Sequence, residues 1–548
     1  MNLIEQLQQT FIGFITSTFN ASAQAITAIN FNLNTDPQKA AFGDISTNAA
    51  MILAKELKQN PRAIAQTILD QFKSPIIEKL ELAGPGFINI FVTKESFKTV
   101  TNQLLQEKEL FFKDTSIEKK YNIEFVSANP TGPLHLGHGR GGIIGDVLGN
   151  VIRCLGYKAT KEFYINDAGA QIEKLGMSFK IRCLQQLGQP AKLPEEAYHG
   201  EYLVELAQKC IATHGAEVLL KPDAFFALYA KEYLLGKIKE TLSAYGIHFD
   251  LWFSEKTLHE NGSIPLALET MQKNGYLFEL DGALWFKSTS FGDDKDRVIK
   301  RASGEYTYVA ADIAYVQNKL GRGYDQLVMV LGQDHHSYVQ RLKGVMQALD
   351  HNPDKLDVIL YQLVTLKESG ESVRMSKRAG KIVSLKDITQ TVGKDVARYF
   401  YLNRKADAHL DFDIDLALKK TDENPVYYIQ YAYVRTCSIL NKTIQEEVLK
   451  NITISDLGEL DDSERLLIKK IIALKHTLQL IAQSYQTHML SYYTHELAAL
   501  FHSYYATHRV IDTDDIKTTR SRLVMIMLIN QTLKTCLELL GIDTPEKM

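Results

Sequence analysis

Hydrophobic spacing along the chain changes character from one stretch to the next, and each change marks a unit. At the start, Leu3, Ile4, Leu7, Phe11 and Ile15 recur at helical intervals and predict an amphipathic helix. Gly43-Asp44 then reads as a turn and cap feeding a helix over residues 45–57. Gly84-Pro85-Gly86 breaks the pattern before an apolar strand over 87–91. From Asn122 onward short apolar runs alternate with helical ones: a strand over 122–127, a glycine-rich opening into an apolar helix over 143–154, a strand over 159–165, and a helix from Gln171. Strand–helix–strand units of this kind build a parallel, doubly wound sheet. Residues 175–251 are mostly helical text broken at Pro190 and Pro194, which reads as an insertion between two sheet halves. Sheet text resumes at 283–286. It continues at 327–331, a continuous apolar run expected of a strand buried on both faces, and at 358–366. Beyond about residue 420 four long helical patterns follow, over 425–440, 462–486, 494–508 and 521–540.

These patterns give an α/β Rossmann-type catalytic domain with an N-terminal α+β domain and a C-terminal all-α helical bundle. The expected division is 1–110, then 111–420 with a helical insertion over about 175–280, then 421–548. Composition changes this picture little. A hydrophobic share of 45% and a charged share of 23% are those of a globular chain, and the net charge of −3 excludes a global attraction to nucleic acid. Any nucleic-acid surface must therefore be local. Cys154, Cys183, Cys210, Cys437 and Cys536 are scattered without a CxxC pair, which argues against a disulfide framework or zinc ribbon. No segment reaches the roughly 18 apolar residues of a membrane span, and the N-terminus lacks the basic residues of a signal peptide. A cytoplasmic protein with no membrane partner is expected.

Candidate chemistry centres on Asn129-Pro130-Thr131-Gly132-Pro133 and the His135-Leu136-Gly137-His138 that follows it. A strand, a tight turn and a helix N-terminus present backbone N–H groups to an anion, and small residues let phosphates approach. Two histidines three apart place two donors where the first turn begins, able to hold charge on a phosphate during displacement. The alternatives are two surface histidines on a cap or a metal pair, and the latter lacks neighbouring ligands at zinc spacing. Gly332-Gln333-Asp334-His335-His336 crowds polar residues at the end of a buried strand, where open α/β sheets bind ligands. The basic run from Arg374 to Lys381 contains Lys377, which a loop can bring to phosphates. Asp312 is either a helix cap or, with Tyr308 four positions earlier, a carboxylate aimed into a pocket. The charged run over 293–297 reads as a solvated loop. Asn89 among apolar neighbours suggests an open binding face. Tyr427, Tyr428, Tyr431, Tyr433, Tyr504 and Tyr505 are core residues or, where exposed, platforms for unpaired bases.

The H-L-G-H and R-M-S-K-R motifs, flanking a split sheet, resemble the HIGH and KMSKS signatures of class I aminoacyl-tRNA synthetases. The passages EFVSANPTGPLHLGHGR, FYINDAGAQI, TYVAADIAY, GQDHHSYVQRLK and NPVYYIQYAYVR, with the closing LGIDTPEKM, resemble the arginyl-tRNA synthetases. The resemblance covers nearly the whole chain. It implies ATP binding by His135, Gly137, His138, Gly332, Asp334, His336, Met375 and Lys377, with His135, His138 and Lys377 catalytic. It implies arginine binding by Glu124, Asn129, Tyr308, Asp312 and Gln333. It also implies Mg2+ travelling with the nucleotide phosphates without a dedicated protein metal site, and a monomer that contacts tRNA-Arg through Asn89, Phe91, Tyr505 and Met548. A carboxylate at Asp312 then suits a guanidinium, whose planar fork it accepts in two parallel hydrogen bonds. Arg374 and Arg378 depart from the strict signature, while Lys377 is kept. A synthetase for another amino acid and a catalytically silent relative are the rival readings.

Overall fold

The computed structural model describes residues 3–114, 118–373, 384–444 and 451–548. The amphipathic helix forms as Leu3–Phe19, with Leu7, Phe11 and Ile15 fully buried. Phe11 meets Phe31 and Phe72 edge-on at 5.3 and 4.9 Å, closing the core over an antiparallel sheet. The sheet runs Phe31–Leu33, Ile45–Thr47, Phe87–Val92, Ile77–Ala83 in spatial order. The helix expected over 45–57 starts later, at Ala49, because Ile45 and Thr47 face inward as a strand and Asp44 Oδ2 accepts from the Val92 amide at 2.9 Å. Asn89 is only 5% exposed, in register between Ser46 and Glu81, so the open face expected there is absent. Phe91 is half-buried, with the Lys79 ammonium 5.3 Å from its ring centre.

The central sheet has five parallel strands in the order Leu356–Tyr361, Gln326–Gly332, Lys120–Phe125, Lys158–Ile165, Leu251–Ser254. Chain direction outward from Lys120–Phe125 reverses between that strand and Gln326–Gly332, which makes their carboxyl ends the switch point where such sheets bind ligands. Period-2 alternation sorts the two faces. Ile123, Phe125, Phe163, Val328 and Val330 join a core under the helix Leu136–Cys154. Leu327 and Met329 join a second core with the helices Tyr308–Gly321 and His336–Ala348. On that second face the middle strand offers Asn122 and Glu124, both buried.

In the chain between Lys158–Ile165 and Leu251–Ser254, Ala170–Gln186, Tyr202–His214 and Asp223–Ala244 pack around Leu175, Phe179, Leu206 and Phe226. The helical insertion expected to reach residue 280 is shorter, because Leu251–Ser254 already pairs with the sheet. Ala283–Phe286 is a strand but not a sheet continuation. It pairs antiparallel with Leu277–Leu280 and Arg297–Lys300 in a separate three-stranded sheet. The apolar run at 358–366 divides into Leu356–Tyr361 and Val364–Glu368, which belong to different sheets. The charged run is not simply solvated either. The Asp293 side chain is 4% exposed and accepts from both Arg297 and Arg341, since a buried carboxylate needs donors.

The helical patterns at the end form Pro425–Ile444, Asp462–Ser484, His488–Thr507 and Ile516–Leu540. Among the described residues Ile516–Leu540 is long and apolar enough to cross a membrane by length and composition, where sequence spacing indicated no such segment. Its apolar window is 72% buried, as the central helix of the bundle. Lys469 and Lys475 bind Asp44 at 3.2 Å and Glu5 at 2.7 Å, fastening the bundle to the N-terminal unit.

Candidate active site

The strand Lys120–Phe125 stops sharply. Val126 and Ser127 take φ of +67° and +39°, a left-handed turn that a β-branched residue adopts at a cost of about 1–3 kcal/mol. The turn has structural consequences. Ser127 Oγ donates to Glu124 Oε1 at 3.1 Å and accepts from the Tyr164 amide at 3.1 Å, and Asn166 donates to the Ser127 carbonyl at 3.3 Å. The chain is thereby folded back across the switch point before it reaches Asn129, which is exposed. Gly145 lets the following helix sit against the strand: a Cβ there would meet Phe125 Cγ at 2.2 Å.

His135 is the N-cap of Leu136–Cys154. Its Nδ1 accepts from the Gly137 amide at 3.2 Å, while His138 Nδ1 accepts from the His135 amide at 3.2 Å, a reciprocal capping box. The rings stack at 3.7 Å between centres. Burial and the neighbouring His135 push the His138 pKa down to about 3. Desolvation lowers His135 too, with the Asp334 carboxylate pulling the other way. Both rings are therefore neutral at pH 7, and with Nδ1 accepting, the proton of each sits on Nε2. Two neutral N–H donors at a helix N-terminus are suited to hydrogen-bond phosphate oxygens without needing to gain or lose a proton. Arg140, fully buried, fixes this first turn by donating to the Gln362 and Lys405 carbonyls at 2.8 Å each.

On the other face of the sheet, acidic groups converge. Asp312 is the fifth residue of Tyr308–Gly321, and Thr307 is the N-cap, so the cap reading of Asp312 is overturned. Burial raises its pKa to about 7, opposed by a hydrogen bond with Tyr338 and by Arg341, and assisted by Glu124. Burial likewise raises Glu255 to about 7, with Asp312 and Asp167 adding to it and a hydrogen bond from Tyr164 opposing. Tyr164, buried, bears on both carboxylates and the half-buried Tyr338 hydrogen-bonds Asp312; both hydroxyls are held protonated well beyond the physiological range. Carboxylates held this close to neutrality are short of a cation. Sequence reading missed Glu255, Tyr164 and Tyr338; the only signal was their position at strand ends or one helical turn beyond the polar cluster at 332–336.

The remaining candidates are distributed unevenly. Gly332 and Gln333 lie at the switch point and are half-buried, with Asp334 exposed and close enough to act on His135. His336 is exposed at the start of its helix. Tyr308 is 68% exposed at the first helical position and acts on Arg297, not on the Asp312 cluster. Met375 and Lys377 lie outside the described residues. The chain resumes at Ser384, which forms a β-bridge with His135, while the Leu385 amide donates to the Leu134 carbonyl at 2.8 Å.

A family model for the class I (R) tRNA synthetase catalytic domain matches residues 99–400. It is flanked by one for the arginyl-tRNA synthetase N-terminal domain over 3–92 and one for the DALR anticodon-binding domain over 429–548. The arginine–tRNA ligase of Moorella thermoacetica is 41% identical, with both chains covered in full. The chain belongs to the arginyl-tRNA synthetase family. A second ligase of that name, from Anoxybacillus flavithermus, is 40% identical over the full length of both chains. The fold is shared with the arginyl-tRNA synthetase structures of Thermus thermophilus and Plasmodium falciparum. Their TM-scores are 0.74 and 0.78 at 20% and 18% identity, with all of each chain covered.

In this member of the family the helical bundle presents a cationic aromatic platform. The Arg435 guanidinium lies 4.5 Å from the Tyr431 ring centre and 4.6 Å from that of Tyr505, and donates to the Tyr431 hydroxyl at 2.6 Å. Tyr427 stacks on Tyr431 at 6.4 Å. Tyr431 and Tyr505 are 40% and 36% exposed, whereas Tyr433 and Tyr504 are core. Met548 is 53% exposed at the C-terminus.

Proposed function

We infer that the protein is an arginine–tRNA ligase, which activates arginine with ATP and passes it to the 3′-terminal adenosine of tRNA-Arg. One observation carries the reading: the strand Lys120–Phe125 runs into a helix start bearing two neutral imidazoles, and across the same sheet Asp312 and Glu255 are carboxylates that burial raises to about 7. In the first step the arginine carboxylate attacks the α-phosphate of ATP, giving arginyl-adenylate and pyrophosphate. The chain supplies alignment and charge stabilisation, and no covalent enzyme intermediate is required. In the second step a terminal ribose hydroxyl attacks the adenylate carbonyl.

In this reading His135, Gly137 and His138 hold the phosphates, with Gly332, Asp334 and His336 beside the adenosine. Met375 and Lys377 would serve the pyrophosphate side, and Mg2+ would arrive with the nucleotide and neutralise charge on its phosphates. Asp312, joined by Glu255, takes the guanidinium. Glu124, Asn129 and Gln333 take the rest of the amino acid, and Tyr308 closes over it. The buried acceptors explain selectivity, because a side chain lacking the planar fork would leave them unpaired. Residues 1–110 would touch the tRNA elbow through Phe91, whereas Asn89 lies buried between two paired strands. Residues 421–548 would read the anticodon loop with Tyr505 and Met548, and residues 111–420 carry the chemistry. A cytoplasmic monomer that requires tRNA for the first step completes the proposal. ATP–pyrophosphate exchange with a panel of amino acids, with and without tRNA-Arg, is the test. Exchange with arginine and tRNA together supports the whole reading. Exchange with arginine alone removes the tRNA requirement, and exchange with a different amino acid removes the assignment of the pocket.

A further inference from the structure

Glu124 and Glu162 are register partners on adjacent parallel strands, so two buried carboxylates stand side by side on one face of the sheet. Such a pair is destabilising unless each is met by a cation. The roof over that face is Tyr308–Gly321, the helix that also carries Asp312. Lys319, seven residues beyond Asp312 and so on the same side of that helix, pairs with Glu124. Arg322, just past the helix end, donates to both Glu162 oxygens at 2.8 and 3.0 Å.

The two carboxylates are not equally satisfied. Glu162 receives Asn122, the Tyr315 hydroxyl at 2.7 Å and two N–H groups of Arg322. These fill the roughly four lone-pair sites of a carboxylate. Glu124 receives Lys319 on Oε2 and Ser127 Oγ at 3.1 Å on Oε1, which leaves acceptor capacity unused. The Glu124 charge reaches the neighbouring groups, bearing electrostatically on Asp312, Tyr164 and Tyr338. The Lys319 ammonium is itself held, 4.5 Å from the Tyr315 ring centre, with its side chain 2% exposed.

We propose that Lys319 is a positioning residue for the cationic amino acid: it clamps Glu124 from below so that its free lone pairs face the substrate. The substrate's ammonium then completes Glu124 instead of having to recruit it. This rests on the ligase reading above. Lys319 touches neither substrate nor nucleotide; it acts through its ion pair with Glu124, and its charge also bears on Glu162.

The test is equilibrium dialysis of labelled arginine and, separately, of ATP against the full chain. The proteins are wild type, Lys319→Met, Lys319→Arg, Glu124→Gln and the Lys319→Met/Glu124→Gln double variant, with circular dichroism melting on each. Lys319→Met is expected to weaken arginine by about tenfold or more while ATP changes by less than about twofold, and Lys319→Arg to recover most of the loss. In the Glu124→Gln background, removing Lys319 should add little further. Unchanged arginine affinity in folded Lys319→Met, parallel losses for arginine and ATP, or losses that multiply in the double variant would each overturn the proposal. If Lys319→Met alone does not fold, the double variant, which removes both charges together, decides by comparison with Glu124→Gln. Equal arginine affinity supports the clamp and a further loss overturns it. A wild-type chain that binds ATP but no arginine would instead sink the ligase reading itself.

Discussion

The Arg398 guanidinium, fully buried, donates to Asp146 at 2.6 Å and joins the helix that begins at His135 to the far end of the helical bundle. Its other N–H groups reach the Leu540 and Tyr245 carbonyls at 2.6 and 2.8 Å, and Asp146 also accepts from Lys161 at 2.7 Å. Burial alone would raise the Asp146 pKa, but Arg398 and Lys161 outweigh it and hold the carboxyl low. Arg398→Met leaves that carboxylate half-paired and two buried carbonyls bereft. It is expected to lower stability by about 3–5 kcal/mol, read from urea unfolding. Because the Asp146 pKa is depressed, its contribution is present above the ordinary carboxylate range and lost as pH falls through the folded value. An unfolding midpoint for Arg398→Met equal to wild type would show that the clasp does not hold the units together.

His138→Ala is expected to lower the rate of ATP–pyrophosphate exchange by about 100-fold or more, since a positioned donor to the reacting phosphate is removed. Part of the loss should be a less ordered first turn, because His138 Nδ1 accepts from the His135 amide. His138→Asn, which restores a side-chain acceptor, should recover helix stability but not rate. Thermal melting and exchange on both variants separate the two roles.

Arginine affinity should depend on pH near neutrality. Asp312 and Glu255 both sit at about 7 in the unliganded protein. Below that value they hold protons that a bound cation must displace. The dissociation constant for arginine is therefore expected to fall as pH rises from about 6 to about 8, then flatten. Calorimetry in buffers of different ionisation enthalpy should show proton release on binding. Asp312→Asn should weaken binding and flatten the profile; a slope that survives in that variant assigns the proton elsewhere.

Two glycine-to-alanine changes should move stability in opposite directions. At Gly145 a Cβ meets the Phe125 ring at 2.2 Å, so Gly145→Ala is expected to destabilise by about 1–3 kcal/mol and to disturb the histidine turn. Gly236 lies inside Asp223–Ala244 with nothing within 4 Å of a new Cβ, so Gly236→Ala should stabilise by about 0.5–1 kcal/mol. Denaturant midpoints for the pair check both signs.

Arg435→Gln and Tyr505→Ala are each expected to weaken tRNA-Arg binding by about 1–3 kcal/mol, the worth of a stacked base, and to leave arginine affinity unchanged. Filter binding at fixed salt measures it. Unaltered tRNA affinity in both would move the RNA contact off this platform.

Much of the molecule is legible in the order of its residues. Helical spacing in Leu3, Leu7, Phe11 and Ile15 and in the four closing helices, and the apolar run ending at Gly332, fix local structure because period and burial follow directly from which positions are apolar. The His135-to-His138 turn is legible for the same reason: cap, glycine and helix are neighbours in the chain. Tertiary structure alone decided the rest. Asp312 changes from a cap candidate to a half-buried carboxylate because Tyr338 and Arg341, from another helix, act on it. Asn89 is buried only because strands on both sides pair with its own. Glu255 and Tyr164 reach Asp312, and Lys319 reaches Glu124, from strands and helices far apart in the chain. Local pattern specifies which face of an element is apolar. It does not specify which distant charge will be left to face another once those apolar faces are closed, and that residue of uncompensated charge is what forms the pocket.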